Sequence, residues 1–466
     1  MTSPARLLLT LLTALAMQAL ALAHVGSPDV FLEASAGPYR LLVTVRPPLA
    51  IPGIADVDVL ATSDDVREVH IVPLPLTGEG AKFAPIADRA AQSTEDRRLF
   101  TGQLWLMTAG AWQVRVTVSG DQGEGMLSIP VPTLPQQTLE MTSATRIALF
   151  VLMSLLAAGF VAIASAMARE AKLGVGEAFD PRARRRGRIV GAIAAVAVGG
   201  ILYLGNMWWA VEATAYDRYV YKPLSATPTI IGSTLQLDLR DPGWIGSRRI
   251  DDFVPDHGHL MHLFVVTPEL DRLWHLHPQL AAAGRFTQAL PDMPAGTYEL
   301  FADLVHATGV SETVTGQLET VALTGSPLRG DDSGWSAAEQ RDTKIVWVRD
   351  NLPLVPKKLT TFTFAVQDAA GQPVTDLELY MGMPGHAVFM RRDRQVFAHV
   401  HPSGSAPMAA LDIAMPGSDP HVPHATATPS SITFPYGFPQ AGQYRIFVQA
   451  KRAGAVITGA FDADVK

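Results

Sequence analysis

The stretches HLFVVTPELDRLWHLHP (residues 262–278) and HAVFMRRDRQVFAHVHP (residues 386–402) align with each other without a gap. Further along the chain, AGTYELF (295–301) matches AGQYRIF (441–447) in the same order. Repetition of this kind predicts a tandem duplication in which each copy is one structural unit. The second copy carries an insertion between its HVHP and AGQY elements.

Short runs of β-branched and aromatic residues, separated by Gly, Pro and Asp, predict that both copies consist of antiparallel strands. Copy one spans residues 225–322 and copy two spans residues 343–466, and the polar segment ALTGSPLRGDDSGWSAAEQRD between them is expected to be a linker. Residues 24–140 show similar strand and turn signals. We therefore expect all-β exported domains, in the form of three immunoglobulin-like sandwiches, together with a two-helix transmembrane hairpin.

Each copy contains a His, twelve intervening residues and then His-x-His-Pro, which indicates a β-hairpin. In copy one, a four-residue loop at Pro268–Asp271 would place His262 directly opposite His277, with His275 on the same face. A slip of one residue in the pairing of the two strands would turn these side chains to the other face of the sheet. The face on which the histidines lie therefore tests the predicted register. The same geometry is predicted for the aligned histidines of copy two, and each copy is expected to hold one ion.

The residues just before the two hairpins differ between the copies. Copy one has His257 and His259 in the sequence HGH, and copy two has Met381 and Met383 in the sequence MGM at identical offsets. Imidazole and thioether both ligate copper, and the thioether favours Cu(I), whereas zinc, magnesium or calcium would not explain the change to methionine. The predicted copper ligands are His257, His259, His262, His275, His277, Met381, Met383, His386, His399 and His401.

A second set of candidate copper ligands lies outside the repeated positions. His24 would be the first residue after signal-peptide cleavage, where its α-amine and ring nitrogen form a two-point ligand. His70 would be the further histidine that such a site needs. The insertion in copy two adds His421 and His424 as potential ligands of the same kind.

The competing interpretation is that these residues are structural, because a buried His commonly serves in hydrogen bonding and a Met fills gaps in a core. We expect Met408 and Met415 in the insertion to be incidental in this sense. Asp252, Asp256 and Asp303 lie near the histidines and are expected to orient their rings. The sequence contains no GxSxG, HExxH, phosphate-loop or dinucleotide motif in a suitable context, so we do not expect an enzyme.

The composition narrows the chemistry further. Of 466 residues, 48% are hydrophobic and only 17% are charged, against about 25% in an ordinary soluble domain. The sequence has no Cys, which excludes disulfides, thiolate nucleophiles, Cys-ligated zinc and iron–sulfur clusters. A net charge of −7 gives no reason to expect nucleic acid as a partner.

Three apolar segments explain the low charge. Residues 1–23 have the basic start, apolar run and small-x-small end of a cleaved secretory signal peptide. Residues 147–167 and 189–209 carry no charge and are long enough to cross a bilayer as helices. The arginine-rich loop 168–188 between them is expected in the cytoplasm by the positive-inside rule. We therefore predict an integral protein of the bacterial inner membrane, with its N- and C-terminal domains on the periplasmic side.

The segments DHGHLMHLFVV, HLHP and AGTYELFAD, with GHAVFM, HVHP and AGQYRIFV, resemble bacterial exported proteins with YtkA-like or FixH-like immunoglobulin-type domains. They are more distantly similar to the copper-resistance β-sandwich proteins of the periplasm. The resemblance covers residues 225–466, and a looser likeness extends to residues 24–136. It implies copper handling or the assembly of membrane oxidases, although the two-span hairpin departs from the single-domain members.

Together these observations predict a membrane-anchored periplasmic copper-binding protein that acts in copper delivery, storage or tolerance. Its expected partners are the copper ion and a membrane oxidase or copper transporter. Two alternatives stay open at this point. One is an envelope interaction or assembly module without metal, and the other is a copper-dependent oxidoreductase with an open coordination position.

Overall fold

The computed structural model describes residues 28–174, 176–178, 180–244, 248–337, 342–350, 352–417 and 428–466. The chain forms two compact units, one made of Met1–Gln136 with Lys222–Lys466 and the other of Gln137–Tyr221. Antiparallel sheets build the first unit and two long helices build the second, which agrees with the β-rich fold and two apolar helices predicted from the sequence. The expected signal peptide lies outside the described residues.

The first domain consists of two antiparallel sheets that share one core. Val43 and Val57 from one sheet belong to the same buried cluster as Ile71 and Val116 from the other. In hydrogen-bonded order the sheets are β1-β2-β3-β7-β6 and β5-β4-β8-β9, and a short 3-10 helix at Glu79–Lys82 follows β4. The strands are β1 (Val30–Ala36), β2 (Tyr39–Arg46), β3 (Gly53–Ala61), β4 (Val66–Pro75), β5 (Asp88–Arg89), β6 (Ala91–Gln92), β7 (Leu99–Leu106), β8 (Gly110–Gly120) and β9 (Gly123–Thr133).

The second unit contains helices α1 (Ser143–Glu170) and α2 (Pro181–Asp217), and both are long and apolar enough to cross a membrane. The side chain of Asp180 caps α2, and Pro181 occupies its first turn, where the missing N–H is not needed. The arginine-rich residues 182–188, which we expected in the connecting loop, therefore belong to the first turns of α2.

Copy one again has two antiparallel sheets, in the orders β10-β11-β15-β14 and β17-β16-β12-β13-β18. The segment expected to be a linker is partly ordered into this domain, because its strand β18 pairs with β13. The strands are β10 (Ser225–Ile231), β11 (Thr234–Arg240), β12 (His262–Val266), β13 (Arg272–Leu276), β14 (Gln279–Ala282), β15 (Arg285–Ala289), β16 (Gly296–Val305), β17 (Ser311–Thr320) and β18 (Ser333–Ser336).

Copy two repeats this architecture. Its sheet β21-β25-β22-β23, with β26 beside β25, places the hairpin β22-β23 as β12-β13 is placed in copy one, and β19-β20-β24 forms the second sheet. The predicted duplication is thus visible in the strand order. The strands are β19 (Lys344–Val348), β20 (Thr360–Gln367), β21 (Leu377–Glu378), β22 (His386–Arg391), β23 (Phe397–Val400), β24 (Ser431–Tyr436), β25 (Gly442–Arg452) and β26 (Ala455–Val465).

The described part of the insertion in copy two forms helix α3 (Met408–Ala414) and docks on the first domain. Leu411 belongs to the core cluster of the first domain, and Met408 and Met415 pack against the same cluster. The backbone N–H of Ala409 donates a hydrogen bond of 2.7 Å to the carboxylate of Asp256 in copy one. Met408 and Met415 therefore have a packing role, and α3 connects the first domain to both copies.

Candidate metal centre

The hairpins of the two copies pack against each other. Because side chains alternate along a strand, Leu263 faces the core of copy one, whereas Phe264 lies in a cluster formed with copy two. Apart from Leu270, that shared cluster contains the same alignment positions from each copy. The equivalent pairs are Phe264 and Val388, Val266 and Met390, Leu273 and Phe397, and Phe301 and Phe447. The hairpin histidines lie on the same face as these residues, nearer to the open ends of the hairpins.

The hairpin register is the predicted one. Phe264 pairs with His275, so the continuing register brings His262 opposite His277, and their ring centroids are 5.1 Å apart. The aligned residues of copy two pair in the same register. The prediction that the hairpin histidines of copy one share a face is therefore confirmed.

In copy one, His262, His275 and His277 form a buried cluster in which one ring nitrogen of each lies within 4.8 Å of the others. His262 Nδ1 and His275 Nε2 are 3.2 Å apart. Two nitrogens that bind one tetrahedral ion at about 2.0–2.1 Å lie about 3.3 Å from each other. The spacing of these two rings therefore suits a shared metal ion.

Oxygen acceptors hold the outer nitrogens of the same two rings. His262 Nε2 lies 3.0 Å from the backbone carbonyl oxygen of Asp256, and His275 Nδ1 lies 2.9 Å from the side-chain oxygen of Gln449. Since these oxygens accept hydrogen bonds, the outer nitrogens carry the single proton of each neutral ring. The two inner nitrogens consequently face each other with lone pairs, which is the arrangement of metal-bound histidines with oriented tautomers.

His277 completes the cluster. Its Nδ1 lies 3.0 Å from a carboxylate oxygen of Asp332, and the same oxygen accepts the backbone N–H of His277 at 2.9 Å. Its Nε2 is buried and has no hydrogen-bond partner in the part of the chain that the structure describes. A buried polar atom without a partner costs about 1–3 kcal/mol, and a bound ion would remove this cost.

The second cluster combines the two copies, because His257 of copy one joins His386 and His401 of copy two. His257 Nε2 and His401 Nε2 are 3.3 Å apart. Neither ring nitrogen of His386 has a hydrogen-bond partner among the described residues, although its side chain is only 1% exposed. The expectation that each copy holds an ion with its own ligands is therefore corrected: this cluster needs both copies, since the hairpins pack face to face.

Burial lowers the pKa of five of the clustered imidazoles. The pKa values of His262, His275 and His386 lie well below the usual range because burial disfavours the charged ring, and neighbouring histidines act in the same direction. The pKa values of His257 and His277 are lowered mainly by the same cause. The rings are therefore neutral at pH 7, which is the form that ligates metal ions.

A tight turn brings His257 to the second cluster. The turn Asp256–His259 has positive φ angles at both central residues, +51° at His257 and +83° at Gly258. Such a type I′ turn favours glycine at its second central position. Copy two repeats the conformation, with φ of +52° at Met381 and +80° at Gly382. The exchange of HGH for MGM thus changes ligand chemistry on an unchanged backbone.

His399, which we predicted as a copy-two ligand, lies between the two clusters. Its ring centroid is 5.3 Å from that of His262 and 5.4 Å from that of His386. Its Nδ1 lies 3.5 Å from a carboxylate oxygen of Asp303, and its Nε2 is buried without a hydrogen-bond partner in the described ranges. Its position therefore suits ligation at either cluster.

The remaining predicted ligands of the repeated set are close by or buried. His259 stacks on His277 with a centroid distance of 4.0 Å, and its Nε2 lies 3.2 Å from a carboxylate oxygen of Asp331. Met381 and Met383 are buried, with exposed fractions of 8% and 3%. His259 is thus held at the edge of the first cluster by a carboxylate.

The second set of candidates is not brought to these clusters. His70 lies on β4 of the first domain, is half-exposed, and has Glu68 as its neighbour at 3.7 Å. His24, His421 and His424 lie outside the described residues. Among the described histidines, the groups that could hold a metal ion therefore lie at the interface of the two copies.

Three residues that hold the histidines were missed by the sequence predictions. Asp331 and Asp332 lie in the segment expected to be a linker, where the acidic pair in GDDS was the available signal. Gln449 reaches His275 from the other copy, and its own amide nitrogen donates to Ser333 Oγ at 2.8 Å. Polar support for the first cluster therefore comes from the supposed linker and from copy two.

The three predicted orienting aspartates act in different ways. Asp256 orients His262 through its backbone carbonyl, and Asp303 lies near His399. Asp252 instead contacts His306 Nδ1 at 2.8 Å, while His306 Nε2 lies 2.9 Å from a Glu312 carboxylate oxygen. Burial alone would lower the pKa of His306, but the hydrogen bonds to Glu312 and Asp252 outweigh burial and raise this pKa. His306 is therefore the cation of a structural ion pair.

A cavity of about 130 Å³ lies beside the clusters, between the first domain and the two copies. Pro28 and Asp29 border it on the side of the first domain, and His262, Asp303 and His399 border it on the other side. His262 and His399 therefore border an internal space rather than a fully packed core.

A domain family described as a domain of unknown function, DUF8832, matches residues 339–466. No curated protein matches the chain. Among solved structures, a bacterial ice-binding adhesin is 5% identical with a TM-score of 0.15, and the match covers 89% of this chain and 91% of the adhesin. Domains 4 and 5 of the S-layer protein SbsC are 14% identical with a TM-score of 0.15, covering 52% of this chain and 98% of that one. Likenesses of this strength carry no argument about function.

Proposed function

We propose that this chain is a membrane-anchored copper-binding protein of the bacterial envelope, which holds copper between its two repeated domains. The observation that carries the proposal is the facing pair His262 Nδ1 and His275 Nε2, 3.2 Å apart, while oxygen acceptors occupy both outer nitrogens. A cation between the rings converts the repulsion of two lone pairs into coordination. The unpartnered nitrogens of His386, within the described part of the chain, support a second ion at the second cluster.

The types of ligand favour copper over zinc. The sequence has no Cys, so thioether is its one soft ligand type and imidazole accompanies it. Met381 and Met383 occupy the positions that His257 and His259 occupy in copy one. Imidazole ligates both Cu(I) and Cu(II), and a thioether favours Cu(I), so copper accounts for the exchange at these positions.

The burial of the clusters favours retention and transfer of the ion over catalysis. His262, His275 and His277 are at most 5% exposed. A copper oxidoreductase that acts on an organic substrate needs an open coordination position that the substrate reaches. We therefore assign copper delivery, storage or tolerance to the site.

The membrane placement is part of the proposal. Helices α1 and α2 would anchor the chain in the inner membrane, and the arginines at the start of α2 would lie in the cytoplasm by the positive-inside rule. The copper clusters would then lie on the periplasmic side. Anchoring raises the effective concentration of the site near a membrane-bound recipient of copper.

Metal titration of the full chain in detergent tests the proposed function. We expect two copper ions per chain, bound in the sub-micromolar range in competition with a chromophoric chelator. The double variant His275→Ala/His277→Ala should lose the first ion, whereas His70→Ala, a change at the half-exposed histidine of the first domain, should bind like the wild type. Absence of sub-micromolar copper binding, or binding unchanged in the double variant, would contradict the proposal.

A further inference from the structure

An approximate twofold relation connects the two copies, so that equivalent residues make equivalent contacts across the interface. His275 aligns with His399, and Asp303 aligns with Gln449, since His262 pairs with Asp303 in copy one as His386 pairs with Gln449 in copy two. Across the interface, Gln449 of copy two accepts from His275 of copy one at 2.9 Å. Reciprocally, Asp303 of copy one lies 3.5 Å from His399 of copy two. Equivalent side chains therefore reach across in both directions.

One proposed ligand crosses the interface in this way. His257 belongs to copy one, and its Nε2 atom lies 3.3 Å from the Nε2 atom of His401 in copy two. The residue equivalent to His257 is Met381, which has the same backbone conformation in the same type of turn. The two turns meet, because the His257 ring lies beside the backbone of Met381. The neighbour of Met381, Tyr380, places its hydroxyl 3.3 Å from His275 Nδ1 of copy one.

We propose that Met381 donates its thioether sulfur to the metal ion of the first cluster, as His257 donates its imidazole to the second. The inference rests on the proposed copper-binding function and deepens it, because it assigns the fourth ligand of the first ion. Met381 is 8% exposed, so its sulfur is withdrawn from solvent. The first ion would have three imidazoles and one thioether, a ligand set that holds both Cu(I) and Cu(II).

The same exchange predicts that Met383 is not a ligand of the first ion. Its equivalent, His259, stays with its own copy, where it stacks on His277 at 4.0 Å and contacts Asp331. Met383 is 3% exposed and should likewise stay with copy two. The two methionines are therefore a matched pair, separated by one glycine, in which only the first crosses the interface.

X-ray absorption of the Cu(I)-loaded full chain in detergent distinguishes the two methionines. The wild type should show a sulfur scatterer at about 2.3 Å, close to metal–sulfur distances in proteins. Met381→Leu, which conserves volume, should lose most of this sulfur scattering, and the matched change Met383→Leu should lose less of it. Circular dichroism of the metal-free variants checks that both fold like the wild type.

The outcomes separate this inference from the proposed function. If copper binds and the sulfur scatterer is absent from the wild type, or is undiminished in Met381→Leu, the exchange of ligands is wrong and copper binding stands. If Met383→Leu alone loses the scatterer, the thioether does not cross the interface. If the wild type binds no copper, the proposed function and this inference both fail.

Discussion

His386 and His306 are both buried histidines of the repeated domains, with exposed fractions of 1% and 5%, yet their surroundings are opposite. Both nitrogens of His306 have carboxylate partners, Asp252 at 2.8 Å and Glu312 at 2.9 Å. Neither nitrogen of His386 has a hydrogen-bond partner within the described residues. Burial alone therefore does not separate a structural histidine from a candidate ligand, whereas the partners of its two nitrogens do.

The same contrast appears in their protonation. Burial lowers the pKa of His386 well below the usual range, and the nearby histidines add to this shift. For His306, the hydrogen bonds to two carboxylates overcome the effect of burial, and its pKa is raised. Burial thus favours the neutral form of one ring, and the two carboxylates favour the charged form of the other. Three predictions test this difference.

The largest effect is expected when each histidine is replaced by leucine in the metal-free protein. His306→Leu removes the cation between Asp252 and Glu312 and should lower the free energy of unfolding by about 3 kcal/mol. His386→Leu removes unpartnered nitrogens and should raise it by about 1 kcal/mol. Chemical denaturation of the full chain in detergent, followed by tryptophan fluorescence, measures both, with His70→Leu as an exposed control. A loss in His386→Leu equal to that in His306→Leu would make His386 a structural residue.

An intermediate effect is expected from the carboxylates that hold the two kinds of histidine. Asp332→Asn keeps the shape but removes the charge beside His277 Nδ1, and should weaken copper binding about 10- to 100-fold. Asp252→Asn changes the partner of His306 in the same way and should leave copper affinity unchanged. Chelator competition measures both variants. Equal losses of affinity would show that the ion pair of His306 and the copper site act as one unit.

The smallest effect is a pH dependence. Because the pKa of His306 is raised in the folded protein, its contribution to stability is complete below the ordinary histidine pKa of about 6.5. That contribution is lost as the pH rises through the raised pKa. The destabilisation by His306→Gln should therefore be larger at pH 6 than at pH 9. Denaturation of wild type and variant at both pH values measures this, and a difference independent of pH would mean that His306 is neutral in the fold.

The hairpins and their histidine face were predictable because they depend on local rules. Strand alternation and loop length determine which side chains share a face, so the alignment of the copies was enough to place His262 opposite His277. The HGH and MGM turns occupy identical offsets in the two copies, and their backbone conformations match as well.

The pairing of the two copies was not predictable from the sequence. An apolar strand face has the same composition whether it covers its own core or a neighbouring domain, so Phe264 and Val388 give no sign of the interface. The transfer of His257 to the second cluster follows from that interface and was missed for the same reason. Asp332 was missed because the polar, Gly-rich composition around it predicts a linker, and Ser333–Ser336 is too short to show alternation.

Asp256 joins the first domain to the clustered histidines. Its carbonyl orients His262, its turn carries His257, and its carboxylate accepts the N–H of Ala409 at the start of α3. Through Leu411, that helix is anchored in the core of the first domain. In the proposed function, occupancy of the site and attachment of the first domain are linked equilibria, and linkage is reciprocal. On that proposal, a binding partner that draws the first domain away from α3 would weaken copper binding by the same factor by which copper tightens that attachment.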